Sequence, residues 1–264
     1  MFEYIFSLNQ YNNFHYMKRL IFLMPFLFFT VSCEQDSSDA DNKLSSLIKP
    51  NFSYNQDLFK CNLVSNSSLI GLESFFSIQA NKYSSMSKDN GLNISILFPE
   101  NNENVDNFLI SIRSDGNHIA IRNFIDQIKS DGFEDIASCT FSIYQNKALD
   151  IIKNINNVID NTFVNIEILR CSFNNGYNFG TFQIAINRYI DNVDKLDMPY
   201  SVSYIEDNST NNDFMWINSF YDSSYQTILL ENWINKKDAA EIKDEFTENA
   251  TCIDSTKYKS YRLF

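Results

Sequence analysis

The chain has 264 residues, of which 44% are hydrophobic, enough for one large core or two of modest size. Its net charge of -12 would repel the phosphate backbone of nucleic acids, and no run of Lys and Arg offers a local exception, so no nucleic-acid partner is expected. Only 6 Gly and 4 Pro are present, so Asn, Asp and Ser must form most of the turns.

Residues 1–32 predict an export signal. Met17 is followed by two basic residues, which favours it as the true start, and an apolar segment runs from Leu20 to Phe29. Thr-Val-Ser-Cys then ends at Cys33, a pattern that resembles a bacterial lipoprotein signal and implies acylation of Cys33. The alternatives are an ordinary signal peptide or a buried helix. The apolar segment is too short for a comfortable membrane span.

Residues 33–55 predict a flexible tether, because they are rich in Asp, Ser, Asn and Lys and offer little apolar surface to bury. A tether attached to an acylated Cys33 would anchor the folded part to a membrane. We therefore expect a lipid-anchored protein of the bacterial cell envelope that faces the periplasm or the exterior, with the membrane as one partner.

The four remaining cysteines occur in two similar contexts. Cys61 and Cys171 each follow a basic residue in a short apolar segment, and the next cysteine comes 78 and 81 residues later, respectively. Export implies an oxidising compartment, and the repeated spacing favours the disulfides Cys61–Cys139 and Cys171–Cys252. A metal site is the rival, but no CxxC spacing and no nearby histidine supports it, so no metal and no cofactor is expected.

Hydrophobic periodicity predicts the same order of elements on both sides of this repeat. In residues 56–147 it predicts a strand at 59–63, a helix from Leu69 to Tyr83, strands at 94–98 and 108–112, a helix from Ile121 to Ile128 and a strand at 139–143. In residues 163–264 it predicts a strand at 169–173, a helix from Phe179 to Tyr189, strands at 200–204 and 214–220, a helix from Tyr225 to Trp233 and a last strand near 252–261. Isoleucines and Val158 predict an amphipathic connecting helix within the linker at 148–162.

This β-α-β-β-α-β order resembles the ferredoxin-like arrangement, in which two helices cover one face of a four-stranded antiparallel sheet. The fold class is therefore α+β, and two such units in tandem resemble the dimeric α/β-barrel family, in which two sheets pack into one barrel. In a ferredoxin-like unit the first and last strands are neighbours, which would bring the two cysteines of each half together. The pattern is also similar to that of duplicated secreted bacterial lipoproteins, a likeness that implies no activity.

Few residues have the chemistry of a catalytic site. His118 is the one histidine outside the leader, and a single histidine argues against haem and zinc centres. It opens a helix, where a solvated first-turn residue is the alternative to a catalytic base. Asp115 and Asp222 occupy similar positions and are expected to cap helices rather than to form a pair of catalytic acids. No catalytic residue is predicted on this basis.

Polar residues alternate with the apolar ones along the predicted strands and could line a space between the two sheets: Lys60, Asn62, Ser95, Ser111, Arg113, Arg170, Ser172, Ser201 and Ser203. A locally positive cavity of this kind would suit a small anionic ligand. Candidate binding residues are Lys60, Arg113 and Arg170, together with His118 and Trp216, although Trp216 also has the spacing of a core residue. The alternative is an ordinary solvated sheet face.

Two functions fit these patterns. The leader, the tether and the missing catalytic constellation favour a membrane-anchored lipoprotein that binds a small anionic ligand or an envelope protein. The alternative, implied by the resemblance in fold, is a small-molecule enzyme of the dimeric α/β-barrel type with a polar cavity between the two sheets.

Overall fold

The computed structural model describes residues 48–100, 106–142, 145–155, 163–193, 195, 198–208, 210, 212–234 and 238–264. The start at Met17 and the lipidation site Cys33 lie outside these residues. They stay predictions, as does the location of the protein at an envelope membrane. No described helix is both long and apolar enough to span a bilayer.

Nine strands and six helices follow one another in the described chain. The first half contains β1 (Tyr54–Leu63), α1 (Leu69–Ile78), α2 (Ala80–Asn90), β2 (Leu92–Pro99), β3 (Asn107–Ser114), α3 (His118–Ser130), β4 (Ala137–Cys139) and β5 (Lys147–Asn154). The second half contains β6 (Val164–Phe173), α4 (Phe179–Val193), β7 (Tyr200–Glu206), β8 (Asp213–Phe220), α5 (Ser223–Ile234), α6 (Ala239–Asn249) and β9 (Ala250–Arg262).

Local side-chain hydrogen bonds set where several helices begin and end. Ser68 accepts a hydrogen bond from the backbone N–H of Gly71 at the start of α1, and Asn117 caps α3 in the same way. Asp222 accepts from the N–H of Ser224 at 2.8 Å and caps α5 as predicted, whereas Asp115, for which the same role was predicted, pairs with Arg113 instead. Gly91 ends α2 with a φ of 59°, a left-handed conformation that glycine adopts without steric cost.

Eight of the strands close into an antiparallel barrel. Each strand pairs with the next in the circuit β1–β3–β2–β9–β6–β8–β7–β5 and back to β1, while the short β4 pairs with the other end of β1. With β5 left aside, the two halves have the same internal strand order, β4–β1–β3–β2 in the first and β9–β6–β8–β7 in the second. They join where β2 pairs with β9 and where β5 pairs with β7.

One disulfide in each half links its first strand to a neighbouring strand. Cys61 of β1 is bonded to Cys139 of β4, and Cys171 of β6 is bonded to Cys252 of β9. Both bridges lie on the outer face of the barrel, within the apolar layer beneath the helices. These are the pairs that the repeated spacing favours.

Buried apolar side chains form three separate clusters. One core packs β1, β2 and β3 against α1, α2 and α3, and a second packs β6, β7 and β8 against α4, α5 and α6. A third, smaller cluster lies inside the barrel and includes Leu97, Leu109, Ile168 and Ile205. Period-2 alternation produces this arrangement, since successive side chains of each strand point alternately to the helices and to the barrel interior.

Three features differ from the prediction. The connecting helix is wrong for the part of it that the structure describes, because residues 147–154 form β5, which completes the barrel between β1 and β7. The strand predicted at 139–143 is shorter and is found at Ala137–Cys139. The predicted tether is too long at its end, since β1 already begins at Tyr54 and pairs there with Ala148. The assignment of residues 56–147 and 163–264 as separate repeats stays a prediction.

Candidate functional site

The polar strand faces that the sequence singles out line the inside of the barrel rather than an open solvated sheet. Seven of the nine predicted positions border two cavities: Lys60 and Arg170 in one, and Ser95, Ser111, Arg113, Ser201 and Ser203 in the other. The hydroxyl of Ser172 instead donates a hydrogen bond to the carboxylate of Asp213. A polar cavity between the two sheets is therefore present.

The two cavities lie at opposite ends of the barrel. Along β1, Gln56 borders one cavity and Lys60 the other, while Leu58 between them borders both. Along β3, Leu109 borders the same cavity as Lys60, and Arg113 borders the same cavity as Gln56. The apolar cluster inside the barrel separates the two, so we name them by their cations, the Arg113 cavity and the Lys60 cavity.

Hydroxyl groups dominate the wall of the Arg113 cavity, which has a volume of about 160 Å³. Six serines from five strands border it: Ser95, Ser111, Ser201, Ser203, Ser219 and Ser260. Its charged lining residues, among those described, are Arg113, Asp150 and Lys153. Since one carboxylate faces two cations, the charged lining side chains leave one excess positive charge.

Asp150 is the centre of a hydrogen-bonded cluster in this cavity. Its Oδ1 accepts from the hydroxyl of Tyr54 at 2.7 Å and from the hydroxyl of Ser203 at 3.1 Å. Arg113 Nη1 lies 3.3 Å from the same oxygen, and Lys153 Nζ lies 3.8 Å from Oδ2. A bulge in β5 between Asp150 and Ile152 sets the direction of this carboxylate, a role that bulges often have beside functional sites.

The guanidinium of Arg113 is held from three sides. Its Cζ lies 3.5 Å from the centre of the Tyr54 ring, a cation–π contact. Its Nε donates to Asp115 Oδ1 at 3.2 Å and its Nη1 donates to Asp150, but Nη2 makes no hydrogen bond to a described residue. Arg113 therefore presents a fixed donor that is free to bind a ligand.

Burial keeps the Tyr54 phenol in its protonated form. The side chain is 3% exposed, and desolvation followed by the negative charge of Asp150 raises its pKa far above the ordinary value. A protonated phenol donates its hydrogen bond to Asp150 throughout the physiological range. Tyr54 thus orients the carboxylate and does not itself release a proton there.

A larger groove of about 790 Å³ leads outward from the Arg113 cavity. The cavity and this outer groove share Asn93, Arg113, Lys153 and Tyr221 as lining residues. Lys88 and Arg262 also border the outer groove, and Asp115 is its one acidic side chain among the described lining residues. A ligand can therefore extend from the cavity into a positively charged entrance.

The Lys60 cavity differs in its charge balance. It measures about 380 Å³, and Lys60 and Arg170 border it together with two acids, Asp207 and Asp254. The charged side chains of its wall therefore sum to zero. The excess positive charge of the Arg113 cavity and the hydrogen-bonded cluster around Asp150 make the Arg113 cavity the better candidate.

The other predicted binding residues lie elsewhere. Trp216 is 1% exposed in the core beneath the helices, where its Nε1 donates to Asn218 Oδ1 at 3.0 Å, so its position on the outer face excludes it from the barrel interior. His118 is the first residue of α3 and borders none of these cavities. The described lining residues consequently offer no imidazole to a haem iron or a zinc ion. No group of three potential metal ligands occurs among the described residues.

Sequence reasoning missed Tyr54, Asp150 and Lys153. Tyr54 fell in the predicted tether, and the other two fell in the predicted connecting helix. The local signal was weak: Asp150 lies between Leu149 and Ile151, as a polar residue of a half-buried strand does, but Ala148 is apolar as well. The isoleucines that follow gave a competing helical pattern.

No protein-family model matches the chain, and no curated protein matches its sequence. Solved structures match in fold. A candidate monooxygenase from Fusobacterium nucleatum subsp. nucleatum gives a TM-score of 0.55 at 10% identity and covers 81% of this chain and 94% of its own. A mutant chlorite dismutase from Candidatus Nitrospira defluvii, in complex with cyanide, gives 0.51 at 7% identity and covers 84% and 95%. A candidate monooxygenase from Lactobacillus acidophilus gives 0.48 at 8% identity and covers 80% and 95%.

These likenesses show the dimeric α/β-barrel fold, which confirms that part of the predicted resemblance, and they give no support to a resemblance to lipoproteins. The main functional prediction, a ligand-binding or protein-interaction module, is wrong, whereas the lipid anchor that it included lies outside the described residues and stays a prediction. The two matching structures with TM-scores above 0.5 are named as a candidate monooxygenase and a chlorite dismutase. This finding backs the alternative, a small-molecule enzyme with a polar cavity between the sheets.

Proposed function

We propose that this protein is a small-molecule enzyme of the dimeric α/β-barrel type, and that its reaction takes place in the Arg113 cavity. The observation that carries the proposal is the cluster of Tyr54, Arg113 and Asp150 inside the barrel. Fixed donors around one carboxylate, at the end of a polar cavity with an open entrance, are typical of a site prepared for chemistry.

Two tandem ferredoxin-like units form the frame in this proposal. Support comes from the strand order, which is the same in both halves, and from the disulfides, which join equivalent strands. The cavity lies where the inner faces of the two sheets meet, and both halves contribute serines to it. The reaction site is thus a property of the pair and not of one unit.

The substrate in this proposal is a small organic anion. Arg113 Nη2 is the donor that its anionic group reaches, and Lys153 adds a second positive charge beside it. The serine hydroxyls can donate to or accept from the remaining polar atoms of a substrate. The positive entrance also attracts anions toward a protein whose net charge is otherwise negative.

Asp150 is the group that moves a proton in this proposal. It is the one carboxylate among the described residues of the cavity wall. Tyr54 and Ser203 hold Oδ1 with hydrogen bonds of 2.7 and 3.1 Å, whereas Oδ2 has longer contacts, with Arg113 Nη1 at 3.4 Å and Lys153 Nζ at 3.8 Å. Oδ2 is therefore the atom that accepts a proton from a substrate lying against Arg113. Tyr54 and Ser203 act as positioning residues.

Turnover of a metabolite mixture tests this function. Purified protein is incubated with an extract of small organic acids, and consumption and product formation are followed by mass spectrometry. We expect Asp150→Asn to lower the rate of any turnover by roughly 100-fold or more, the usual contribution of a general acid or base. Arg113→Gln should raise KM strongly, because it removes the donor that binds the anionic group.

Arg170→Gln is the matched control, since it removes a cation from the opposite end of the same barrel. Its turnover should equal that of the wild type. Turnover that survives Asp150→Asn would contradict the assignment of the site, and a wild-type protein that consumes no compound of the mixture would contradict the enzyme proposal.

A further inference from the structure

We infer that the substrate carries two anionic groups, one bound at Arg113 in the cavity and the other bound against α2 in the outer groove. This inference rests on the proposed function, because it extends the substrate of the same site outward. The second group is an oxyanion, either a carboxylate or a phosphate.

The charges of the outer groove motivate the second anionic group. Four cationic side chains border it, namely Lys88, Arg113, Lys153 and Arg262. Asp115, its one acidic side chain among the described residues, is already bound to Arg113 Nε. Because like charges in proximity repel unless an anion lies between them, four cationic side chains beside one acidic side chain favour the binding of an anion in this groove.

The cations of the groove differ in how well they are satisfied. Arg113 and Lys153 contact Asp150, and Arg262 Nε donates to the backbone oxygen of Phe264 at 3.4 Å. Lys88 forms no ion pair with a described residue. The unmatched positive charge therefore lies on the α2 side of the groove, away from Asp150.

The wall formed by α2 adds donors beside this charge. Ser84 and Lys88 are one helical turn apart on the same face, and Ser85 borders the groove next to them. Two hydroxyls and an ammonium group on one helix face match the several acceptor atoms of an oxyanion. Ser87, by contrast, has its hydroxyl committed to the backbone oxygen of Leu92.

The two anion positions are connected through shared walls. Arg113 and Lys153 border both the cavity and the outer groove, so a molecule with one end at Arg113 passes Lys153 and emerges beside α2. The cavity of about 160 Å³ holds a small head group, whereas the groove of about 790 Å³ has room for the rest of the molecule. Length between the two anionic groups should therefore decide affinity.

Calorimetric titration with simple probes tests the inference without any need for turnover. The probes are butyrate, a series of dicarboxylates from malonate to pimelate, and 3-phosphonopropionate, each titrated into the wild type, Lys88→Gln, Arg113→Gln and Arg170→Gln. We expect the best dianion to bind about tenfold or more tightly than butyrate. Lys88→Gln should remove this advantage and leave the affinity for butyrate unchanged, whereas Arg113→Gln should weaken both.

Arg170→Gln should behave as the wild type with every probe. The preference between the best dicarboxylate and the phosphonate identifies the second group. Equal binding of butyrate and all dianions, or an advantage that persists in Lys88→Gln, would overturn the inference and leave the proposed function standing. Butyrate binding that is indifferent to Arg113→Gln would instead count against the proposed site itself.

Discussion

The two halves of the chain share a frame but differ in what they place on it. Asp57 and Glu167 lie four residues before the first cysteine of their halves, and each is 1% exposed. Glu167 is well paired, because Oε2 accepts from Asn218 at 2.9 Å and Oε1 accepts from Ser255 at 3.2 Å. Asp57 has one weak contact from the backbone N–H of Asn146 at 3.4 Å, and its Oδ2 has no hydrogen-bond partner among the described residues.

The barrel interior shows the same contrast. On the first-half side, Gln56 lies opposite Arg113 in the strand register, whereas Ile166 lies opposite Ser219 at the matching place in the second half. Ser95 and Ser203 occupy equivalent positions in the two halves. Ser203 pairs with Asp150 of β5, whereas Ser95 pairs with Arg262 of β9. The cluster of Tyr54, Arg113 and Asp150 is therefore not repeated at the equivalent positions of the second half. The two halves share their backbone fold and differ in the side chains that line the barrel.

The largest expected effect should be equal in the two halves. Replacing both cysteines of one bridge by alanine, in Cys61→Ala/Cys139→Ala or in Cys171→Ala/Cys252→Ala, frees a loop of 78 or 81 residues in the unfolded chain. On the chain-entropy account each bridge contributes about 4 kcal/mol to the free energy of unfolding. Urea denaturation of the two double variants measures it.

Nearly equal losses would support two equivalent frames. A loss of stability confined to one variant would show that the two halves differ in stability and would contradict their equivalence. Peptide mapping without reduction is the control, and a bridge between the halves would contradict the pairing.

A second prediction concerns the buried acids, for which the same type of substitution should have opposite effects. Burial raises the pKa of Asp57 from 3.8 to about 6. Between these values the folded protein binds more protons than the unfolded chain, so stability falls as pH rises through this range. Asp57→Asn removes the cost, which is about 3 kcal/mol above pH 6 because one pKa unit corresponds to about 1.4 kcal/mol.

Glu167→Gln should instead destabilise the fold by about 1–3 kcal/mol, because an amide nitrogen would face one of the two donors that the carboxylate now accepts from. Chemical denaturation of both variants near pH 8 and near pH 4 separates the two effects. The gain in Asp57→Asn should vanish at the lower pH. A gain that is the same at both pH values would contradict the unpaired carboxylate as its cause.

The sequence carried most of the fold because the fold depends on periodicity. Alternation in β1, β2, β3, β6, β7 and β8 predicted their strands, and the repeated cysteine spacing predicted the two disulfides. The failure was β5, where isoleucines at 151, 152 and 155 satisfied a helical period as well as a strand. Pairing with β7 decided the outcome, and pairing between distant segments is not visible in local sequence.

The candidate site was predictable only in part. Alternation placed Arg113 on the polar face of its strand, but the same rule gave Lys60 and Arg170 equal weight, because it does not show at which end of a barrel a residue lies. Asp150 and Tyr54 come to Arg113 through the closure of β5 onto β1 and through a bulge. Both features belong to the tertiary structure, so no spacing of residues in the sequence predicts the cluster.

The smallest expected effect concerns the hydroxyl that only the first half has. Tyr54 occupies the place of Val164, and Tyr54→Phe removes its hydrogen bond to Asp150 while the ring stays beneath the guanidinium of Arg113. Because Ser203 and Arg113 still satisfy the carboxylate, we expect a loss of only about 1 kcal/mol in the free energy of unfolding.

In Tyr54→Phe, the loss of turnover, expressed as an increase in activation free energy, should exceed the loss in the free energy of unfolding. The reason is that a positioning residue orients the proton acceptor and contributes little to the fold. Val164→Ala is the matched control, because it alters the equivalent position where no polar cluster exists. Denaturation and steady-state rates of both variants measure the difference. If Tyr54→Phe lost stability but kept the full rate, Tyr54 would be a structural residue and the two halves would be alike at this position.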